Sequence, residues 1–129
     1  MKAVVTGGTR GIGLEISKKL LAKGFEVHVL SRSGADPSLK GVVSWVADVS
    51  DYEQTIRVVD RIGPLNVLIN NAGIMNTKMA SEYCRDDINY MLNVNLITSV
   101  RLSVHLADGQ QWWRQDSQHG VNRRRNRPS

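Results

Sequence analysis

A glycine-rich loop near the N-terminus constrains the fold of this chain more than any other feature. The loop has the sequence Thr6-Gly7-Gly8-Thr9-Arg10-Gly11-Ile12-Gly13. It follows the apolar segment 2–6, which predicts a short buried strand. It precedes apolar residues spaced four apart from Ile12 to Leu20, which predict a helix ending at Gly24. A strand, a glycine turn and a helix in this order are typical of a phosphate-binding site at a helix N-terminus.

Three of the loop glycines have separate predicted tasks in binding a dinucleotide. Gly7 permits the sharp turn out of the strand, and Gly11 lets the backbone approach a pyrophosphate closely. Gly13 lets the helix pack against the sheet. The free N–H groups and the dipole of the helix N-terminus favour a bound phosphate.

The pattern after the loop predicts an α/β fold. Segments 25–30, 42–47 and 65–70 are short and largely apolar, as expected for strands of a parallel sheet that is covered on both faces. Ser50 to Glu53 form a capping box before a helix with apolar residues at Ile56, Val59 and Ile62. The alternation of strands and helices predicts a Rossmann-type doubly wound parallel sheet, truncated after the fourth strand and the following helix.

That following helix is predicted over residues 86–106. Leu92, Leu96, Val100 and Val104 recur at every fourth position and form its apolar face. Polar residues at Asn93, Asn95, Thr98 and Ser99 occupy another part of its surface. The spacing indicates an amphipathic helix that packs against the sheet.

Composition excludes several classes of protein. The 129 residues, 41% hydrophobic and 22% charged, suit one globular domain. No apolar run is long enough to span a membrane, and the N-terminus does not resemble a signal peptide, so we expect a cytoplasmic protein without membrane contacts. A single cysteine, Cys84, excludes an internal disulfide and a cysteine zinc cluster, and we expect no metal site.

The chain changes character after residue 106. Residues 107–129 contain five arginines against Asp108 and Asp116, a net charge of +3 of the total of +5, and they have no helical or strand period. We predict a truncated NAD(P)-binding domain over 1–106 and a basic tail over 107–129 that is disordered or read in the wrong frame. Arginines beside Trp112-Trp113 favour at most weak, nonspecific contacts with nucleic acid.

Several motifs, in the right order, resemble the short-chain dehydrogenase/reductase (SDR) family. The loop has the family spacing Thr-Gly-x-x-x-Gly-x-Gly over Thr6 to Gly13. The resemblance implies that Asp48-Val49 binds the adenine and that Asn70-Asn71-Ala72-Gly73 lies beside the cofactor. Asn95 matches the asparagine that supports the proton relay of the family. Each motif alone also suits a turn or a helix start, but together they indicate the family over residues 1–106.

The end of the second strand favours NADP(H) over NAD(H). Dinucleotide folds that use NAD place an acidic residue here to bind the ribose 2′-hydroxyl. This chain instead has Leu30-Ser31-Arg32-Ser33. Arg32, Ser31 and Arg10 of the loop can bind a 2′-phosphate. Surface arginines without a ligand are the alternative interpretation.

The resemblance also implies a catalytic serine and a Tyr-x-x-x-Lys motif, and neither is found. Tyr52, Tyr83 and Tyr90 are the only tyrosines, and none is followed four residues later by lysine. We therefore expect an NADP(H)-binding portion of an SDR oxidoreductase that is inactive alone. The alternative is a noncatalytic nucleotide-binding or regulatory module that docks on a partner. The partner would be a second copy or a related full-length subunit, because the unpaired fourth strand leaves an apolar edge.

The tail is compatible with a shifted reading frame. With a CGG codon for the arginine, Trp112-Trp113-Arg114 becomes Gly-Gly-Gly after a shift of a single base. With permitted third bases, residues 115–127 can then encode a segment that resembles the fifth strand of the family and its serine. We interpret the chain as the product of a frameshift near residue 107 in a longer SDR gene. A genuine short chain is the alternative.

Overall fold

A computed structural model describes residues 1–34, 39–75 and 77–108. Its sheet has four parallel strands in the order β3-β2-β1-β4. Val5 of the central strand pairs with Val29 on one side and Ile69 on the other. The predicted α/β Rossmann-type fold is therefore confirmed. The strands are β1 (Lys2–Thr6), β2 (Glu26–Ser31), β3 (Val42–Val46) and β4 (Val67–Asn70).

Helices cover both faces of the sheet. The α-helices are α1 (Gly11–Ala22), α2 (Tyr52–Ile62), α3 (Arg85–Leu92) and α4 (Thr98–Asp108). A 3-10 turn spans Ala80–Glu82, and a π-helical turn spans Asn93–Ile97. The predicted helix over 86–106 is thus a continuous path with a wider turn in its middle, and it runs to Asp108. None of the described helices is both long and apolar enough to cross a membrane.

The core has one apolar layer on each face of the sheet. On the first face, Leu30 and Val4 pack with residues of α2 and α4, including Val59 and Leu102. On the second face, β-strand valines pack with Leu39 and with residues of α1. The sheet is therefore sandwiched between helices, as its near-continuous apolar strands require.

The N-terminus of α2 differs from the prediction by one residue. Asp51, not Ser50, is the N-cap, and its carboxylate accepts a hydrogen bond from the backbone N–H of Gln54 at 3.0 Å. The backbone N–H of Ser50 instead donates to Asp48 Oδ1 at 2.9 Å. The turn begun by Asp48 therefore moves the start of the helix to the next residue.

The buried face of the helical path from α3 to α4 is not the predicted one. Leu92, Leu96, Val100 and Val104 are each 44–55% exposed. Val94, Thr98, Leu102 and Leu106 also recur at every fourth position, and these four are buried. Thr98 satisfies its hydroxyl by donating to the carbonyl of Val49 at 2.5 Å. The sequence contains two stripes at helical spacing. The buried one was not predicted because it includes Thr98, whose hydroxyl made that stripe look polar.

Candidate functional site

The carboxyl ends of the four strands border a cleft with a volume of about 510 Å³. Ligands of open parallel sheets bind at this edge, where the strand order reverses. Since β1 lies between β2 and β4, the reversal falls at the glycine loop. The volume is typical of small-molecule sites, which span roughly 300–1,000 Å³.

Ten of the predicted cofactor-binding residues line this cleft, together with six further residues. The predicted ones are Gly7, Thr9, Arg10, Ser31, Arg32, Asp48, Val49, Asn71, Ala72 and Gly73. The further ones are Leu30, Ser33, Ala47, Ile74, Tyr90 and Val94. The remaining predicted residues, Thr6, Gly8, Gly11, Ile12, Gly13, Asn70 and Asn95, lie outside the lining.

The strand ends could have indicated some of the residues that sequence reasoning missed. Leu30, Ala47 and Ile74 are direct neighbours of predicted residues at the ends of strands or in the loop after β4. Tyr90 and Val94 come from α3 and the π-helical turn. No local pattern marks these two, because only the packing of the helical segment beside the sheet brings them to the cleft.

Gly7 and Gly13 shape the loop by their lack of a side chain. Gly7 has a φ of 66°, which side chains with a Cβ rarely adopt, and its N–H donates to Leu30 O at 2.8 Å. A Cβ on Gly13 would collide with the carbonyl of Gly7 and the side-chain amide of Asn71. The first turn of α1 can therefore lie directly against the turn that leaves β1.

The first turn of α1 is open for a ligand. Arg10 is the N-cap residue, and its side chain makes no capping hydrogen bond. No acidic residue lies in the first turn, and Gly11 and Ile12 are exposed. Free N–H groups at a helix N-terminus favour a bound anion. The structure thus places the predicted phosphate-binding backbone beside the cleft.

Buried polar contacts hold the start of α1 in place. Ser17 is fully buried, and its hydroxyl lies 2.8 Å from Gly13 O and 3.2 Å from Gly8 O. Gly8 is itself buried. Gly8 and Gly13 therefore belong to the support of the loop, and the sequence had indicated the packing task for Gly13 alone.

Thr6 joins the loop to the segment after β4. Its buried hydroxyl accepts hydrogen bonds from the backbone N–H groups of Asn71 and Ala72, each at 3.1 Å. The side-chain amide of Asn71 donates to Gly7 O at 3.0 Å. Thr6 therefore orients two neighbours that line the cleft and does not line it itself.

Asn70 and Asn71 point to different parts of the fold. The side chain of Asn70 donates to Ser103 Oγ of α4 at 3.0 Å, whereas Asn71 lines the cleft. Asn70 is the last residue of β4 and Asn71 begins the loop that follows, so the two side chains take different directions. The motif thus combines three cleft residues, Asn71, Ala72 and Gly73, with one anchor for α4 at Asn70.

Asn95 holds the loop that follows Gly73. Its side-chain oxygen accepts from the backbone N–H of Ile74 at 2.7 Å, and its side-chain N–H donates to Ile74 O at 2.9 Å. Both ends of the amide therefore bind one residue of the cleft wall. The structure places Asn95 in the π-helical turn, behind the lining of the cleft.

Asp48 lines the cleft and also belongs to the turn that precedes α2. Its backbone N–H donates to Gln54 Oε1 at 2.8 Å, and Oδ1 accepts from Ser50 N. The two interpretations of Asp48, an adenine ligand and a helix-start residue, are therefore compatible in space. One carboxylate oxygen takes part in the turn.

Two cationic side chains line the cleft, one from the glycine loop and one from the end of β2. Arg10 and Arg32 both line the cleft, and no ion pair between described residues includes either of them. Arg32 Nη1 donates to the hydroxyl of Tyr90 at 3.1 Å. Ser31 donates its hydroxyl proton to Gly34 O at 3.0 Å, so its one O–H donor is engaged in the turn after β2. The arginines are therefore the main donors for an anion here.

Three ionisable groups outside the lining of the cleft have shifted pKa values. A hydrogen bond from Lys78 lowers the pKa of Asp87 to about 2, and contacts with the backbone and thiol of Cys84 add to the effect. The same bond to Asp87 raises the pKa of Lys78. A hydrogen bond with His28 lowers the pKa of Glu26. Among the described residues, no group of three or more His, Cys, Asp and Glu side chains is arranged to hold a metal ion.

The sheet, the glycine turn and the cleft define an α/β domain of the Rossmann nucleotide-binding class. A family model described as short chain dehydrogenase matches residues 1–117. The chain belongs to the short-chain dehydrogenase family. The match extends past residue 106, where we predicted that the family resemblance ends.

Curated relatives are reductases of several kinds. The chain is 34% identical over 107 residues to a 3-dehydrosphinganine reductase of Arabidopsis thaliana, with 75% of this chain and 33% of that protein covered. It is 38% identical over 104 residues to the acetoacetyl-CoA reductase of Shinella zoogloeoides, with 73% and 43% covered. The chain thus spans between a third and a half of the length of these relatives.

Solved structures share the fold. A short chain dehydrogenase of Burkholderia cenocepacia in complex with NADP has a TM-score of 0.70 and 31% identity, with 82% of this chain and 49% of that chain covered. A 4-hydroxyisoleucine dehydrogenase complexed with NADH has a TM-score of 0.73, 24% identity and coverages of 84% and 49%. The similarity to the 4-hydroxyisoleucine dehydrogenase, at 24% identity, shows a shared fold and no more.

Proposed function

We propose that this chain is the NADP(H)-binding portion of an SDR-type oxidoreductase. The cleft carries the proposal, because it joins an open helix N-terminus, Asp48 and the segment Asn71–Gly73 at the strand-order reversal. A nicotinamide dinucleotide fits this donor set, since the loop offers backbone N–H groups to a pyrophosphate and the rim offers cations. When bound, the cofactor supplies hydride transfer to or from a carbonyl or hydroxyl carbon.

The preference for NADP(H) over NAD(H) is proposed from charge. Arg10 and Arg32 line the cleft, and the end of β2 carries no carboxylate. A carboxylate would accept from the 2′-hydroxyl and repel a 2′-phosphate, whereas guanidinium groups attract the phosphate. Ser33, also in the lining, adds a hydroxyl donor.

We propose that the 129-residue polypeptide binds this cofactor without turning over a substrate. The residues four positions after Tyr52, Tyr83 and Tyr90 are Ile56, Asp87 and Val94, and none is a lysine that could lower a tyrosine pKa. We propose Asn95 as a supporting residue of the site, because its side-chain amide binds both the backbone N–H and the carbonyl of Ile74 in the wall of the cleft.

Equilibrium titration tests the proposal. The full chain is titrated with NADPH and with NADH by calorimetry, and we expect tighter binding of NADPH. Incubation of the chain with NADPH and a panel of ketones should leave the absorbance of the reduced nicotinamide unchanged. Equal dissociation constants for NADPH and NADH would contradict the charge argument, and absence of binding would contradict the whole proposal.

A noncatalytic module that docks on a partner is the second candidate. The stripe Leu92, Leu96, Val100 and Val104 favours it, because these side chains are about half exposed in the described residues. A second copy or a related full-length subunit is the proposed partner. Co-expression with a full-length SDR subunit, followed by affinity capture, should recover a complex. If the complex is still captured after Val104→Lys, the stripe is not the docking surface.

Other expectations from the sequence stay predictions. A cytoplasmic location and weak nonspecific nucleic-acid contacts are among them. The domain boundary at 106 and the disordered or frameshifted tail are also predictions, and residues 109–129 lie outside the described part of the chain.

A further inference from the structure

The hydrogen bond between Arg32 and Tyr90 joins two distant segments at one end of the cleft. Arg32 follows β2, Tyr90 belongs to α3, and 58 residues separate them in the chain. Both side chains line the cleft. The contact therefore spans the rim that the proposed 2′-phosphate would approach.

A tyrosine can fix the position of the Arg32 guanidinium while leaving its positive charge available to bind an anion. An aspartate or glutamate in its place would neutralise the positive charge of Arg32 and compete with a phosphate. A phenol is an uncharged type of hydrogen-bond acceptor, and the Tyr90 oxygen accepts one hydrogen bond from Nη1 of Arg32. No other hydrogen bond between described residues engages the guanidinium, so within that part of the chain its charge and remaining N–H donors stay available to the cleft.

Holding Arg32 matters because its side chain is long and exposed. Ordering such a side chain only when the ligand arrives would cost conformational entropy. A contact that already restricts the guanidinium reduces that cost and strengthens binding. No ion pair between described residues restrains Arg32 instead.

We infer that Tyr90 is a positioning residue for nucleotide specificity, which holds the Arg32 guanidinium at the rim of the cleft for the 2′-phosphate of the cofactor. The inference rests on the proposed preference for NADP(H). It gives Tyr90 a task in binding, although the tyrosine lacks the lysine of a catalytic Tyr-x-x-x-Lys motif. Phenylalanine at this position would keep the ring and remove the contact.

The test uses 2′,5′-ADP and 5′-AMP as probes, since they differ by the 2′-phosphate alone. The ratio of their dissociation constants is measured for the full chain and for Tyr90→Phe. We expect the parent chain to prefer 2′,5′-ADP, and Tyr90→Phe to lower that preference about five- to tenfold, the size expected for one ordinary hydrogen bond. Tyr52→Phe is the matched control, because Tyr52 lies outside the cleft lining.

A double-mutant cycle separates positioning from a direct contact. If Tyr90 acts through Arg32, then Tyr90→Phe should have no effect on the ratio in the Arg32→Ala background. An equal effect in both backgrounds would overturn the positioning role, and so would an unchanged ratio for Tyr90→Phe in an otherwise 2′-phosphate-selective chain. A parent chain that does not distinguish the two probes would overturn the proposed NADP(H) preference itself. Circular dichroism of each variant checks that the fold is retained.

Discussion

Single polar atoms hold the walls of the cleft together. The hydroxyl of Thr6 accepts hydrogen bonds from two consecutive backbone N–H groups, and the amide of Asn95 binds both the N–H and the carbonyl of Ile74. Each contact joins segments that are far apart in sequence. At the scale of the residue, the cleft is therefore shaped by side chains, such as those of Thr6 and Asn95, that do not line it themselves.

Thr6→Val tests the first of these contacts. The substitution conserves shape but leaves the N–H groups of Asn71 and Ala72 without their acceptor, which should reduce the free energy of unfolding by about 1–3 kcal/mol. Urea denaturation measures the loss, and hydrogen exchange should accelerate at both amides. Thr6→Ser keeps the hydroxyl and serves as the control. Slow exchange at both amides in Thr6→Val would contradict the assigned contact.

Gly13→Ala tests the close approach of α1 to the loop. The added Cβ would meet the carbonyl of Gly7 and the amide of Asn71, and we expect a loss of about 1–3 kcal/mol in stability from overpacking. Nucleotide affinity should fall as well, because the phosphate-binding turn must shift. Glu15→Ala, an exposed change on the same helix, is the control for unfolding and for binding. Unchanged affinity in Gly13→Ala would show that the loop tolerates the displacement.

At the scale of the element, the N-terminus of α3 depends on one carboxylate. Asp87 Oδ2 accepts hydrogen bonds from the Cys84 backbone at 3.1 Å and from Lys78 Nζ at 2.9 Å. Cys84 and Asp87 together form a capping box. The charge of Asp87 therefore joins the loop before α3 to the first turn of the helix.

Acid titration should reveal this cap. The pKa of Asp87 is lowered from 3.8 to about 2, so its contribution to stability is complete above pH 3.8 and is lost as pH falls toward 2. Asp87→Asn should lower stability at neutral pH and flatten its pH dependence within that interval. Asp86→Asn, the same change in the same turn, is the control. Parallel stability–pH curves for the parent chain and Asp87→Asn would contradict the assigned pKa shift.

The two faces of α4 should respond differently to substitution. Leu102 is fully buried between the sheet and α2, and Leu102→Ala should reduce the free energy of unfolding by about 2–5 kcal/mol. Val104 is 53% exposed, so Val104→Lys should leave that free energy nearly unchanged. Denaturant unfolding of both variants distinguishes the faces. A large loss in Val104→Lys would mean that the exposed stripe is covered within the chain.

At the scale of the whole molecule, two features of the described part of the chain favour association. The first is the stripe on the helical path from Leu92 to Val104. The second is the outer side of β4, which pairs with β1 alone among the described strands. Uncovered edges and stripes of this kind promote association.

Sedimentation at several protein concentrations tests association. We expect the parent chain to form dimers or larger species, and Val104→Lys together with Val100→Lys to shift the distribution toward monomer. Glu15→Lys changes charge on the opposite face of the sheet and controls for a general effect of charge. A monomer at every concentration would contradict the predicted self-association.

The sequence alone was sufficient for the fold and for most of the cleft. Short apolar strands, the glycine turn and Asn71–Gly73 are local patterns whose physical causes act within a few residues, and the structure places their predicted elements as expected. The order of the motifs also identified the family that the comparisons establish. Local backbone preferences and apolar periodicity thus determined the elements and their approximate bounds.

Only the tertiary structure decided which of the two equally spaced stripes on the helical path from α3 to α4 is buried. It also decided which side chain of α3 reaches the cleft. Both stripes satisfy the helical period, and the buried one can include a hydroxyl because Thr98 donates to the carbonyl of Val49 across the fold. Tyr90 likewise meets Arg32 only when α3 lies beside the end of β2. A hydrogen bond between distant segments leaves no periodic signal in the chain, so its partners become known only when packing brings them together.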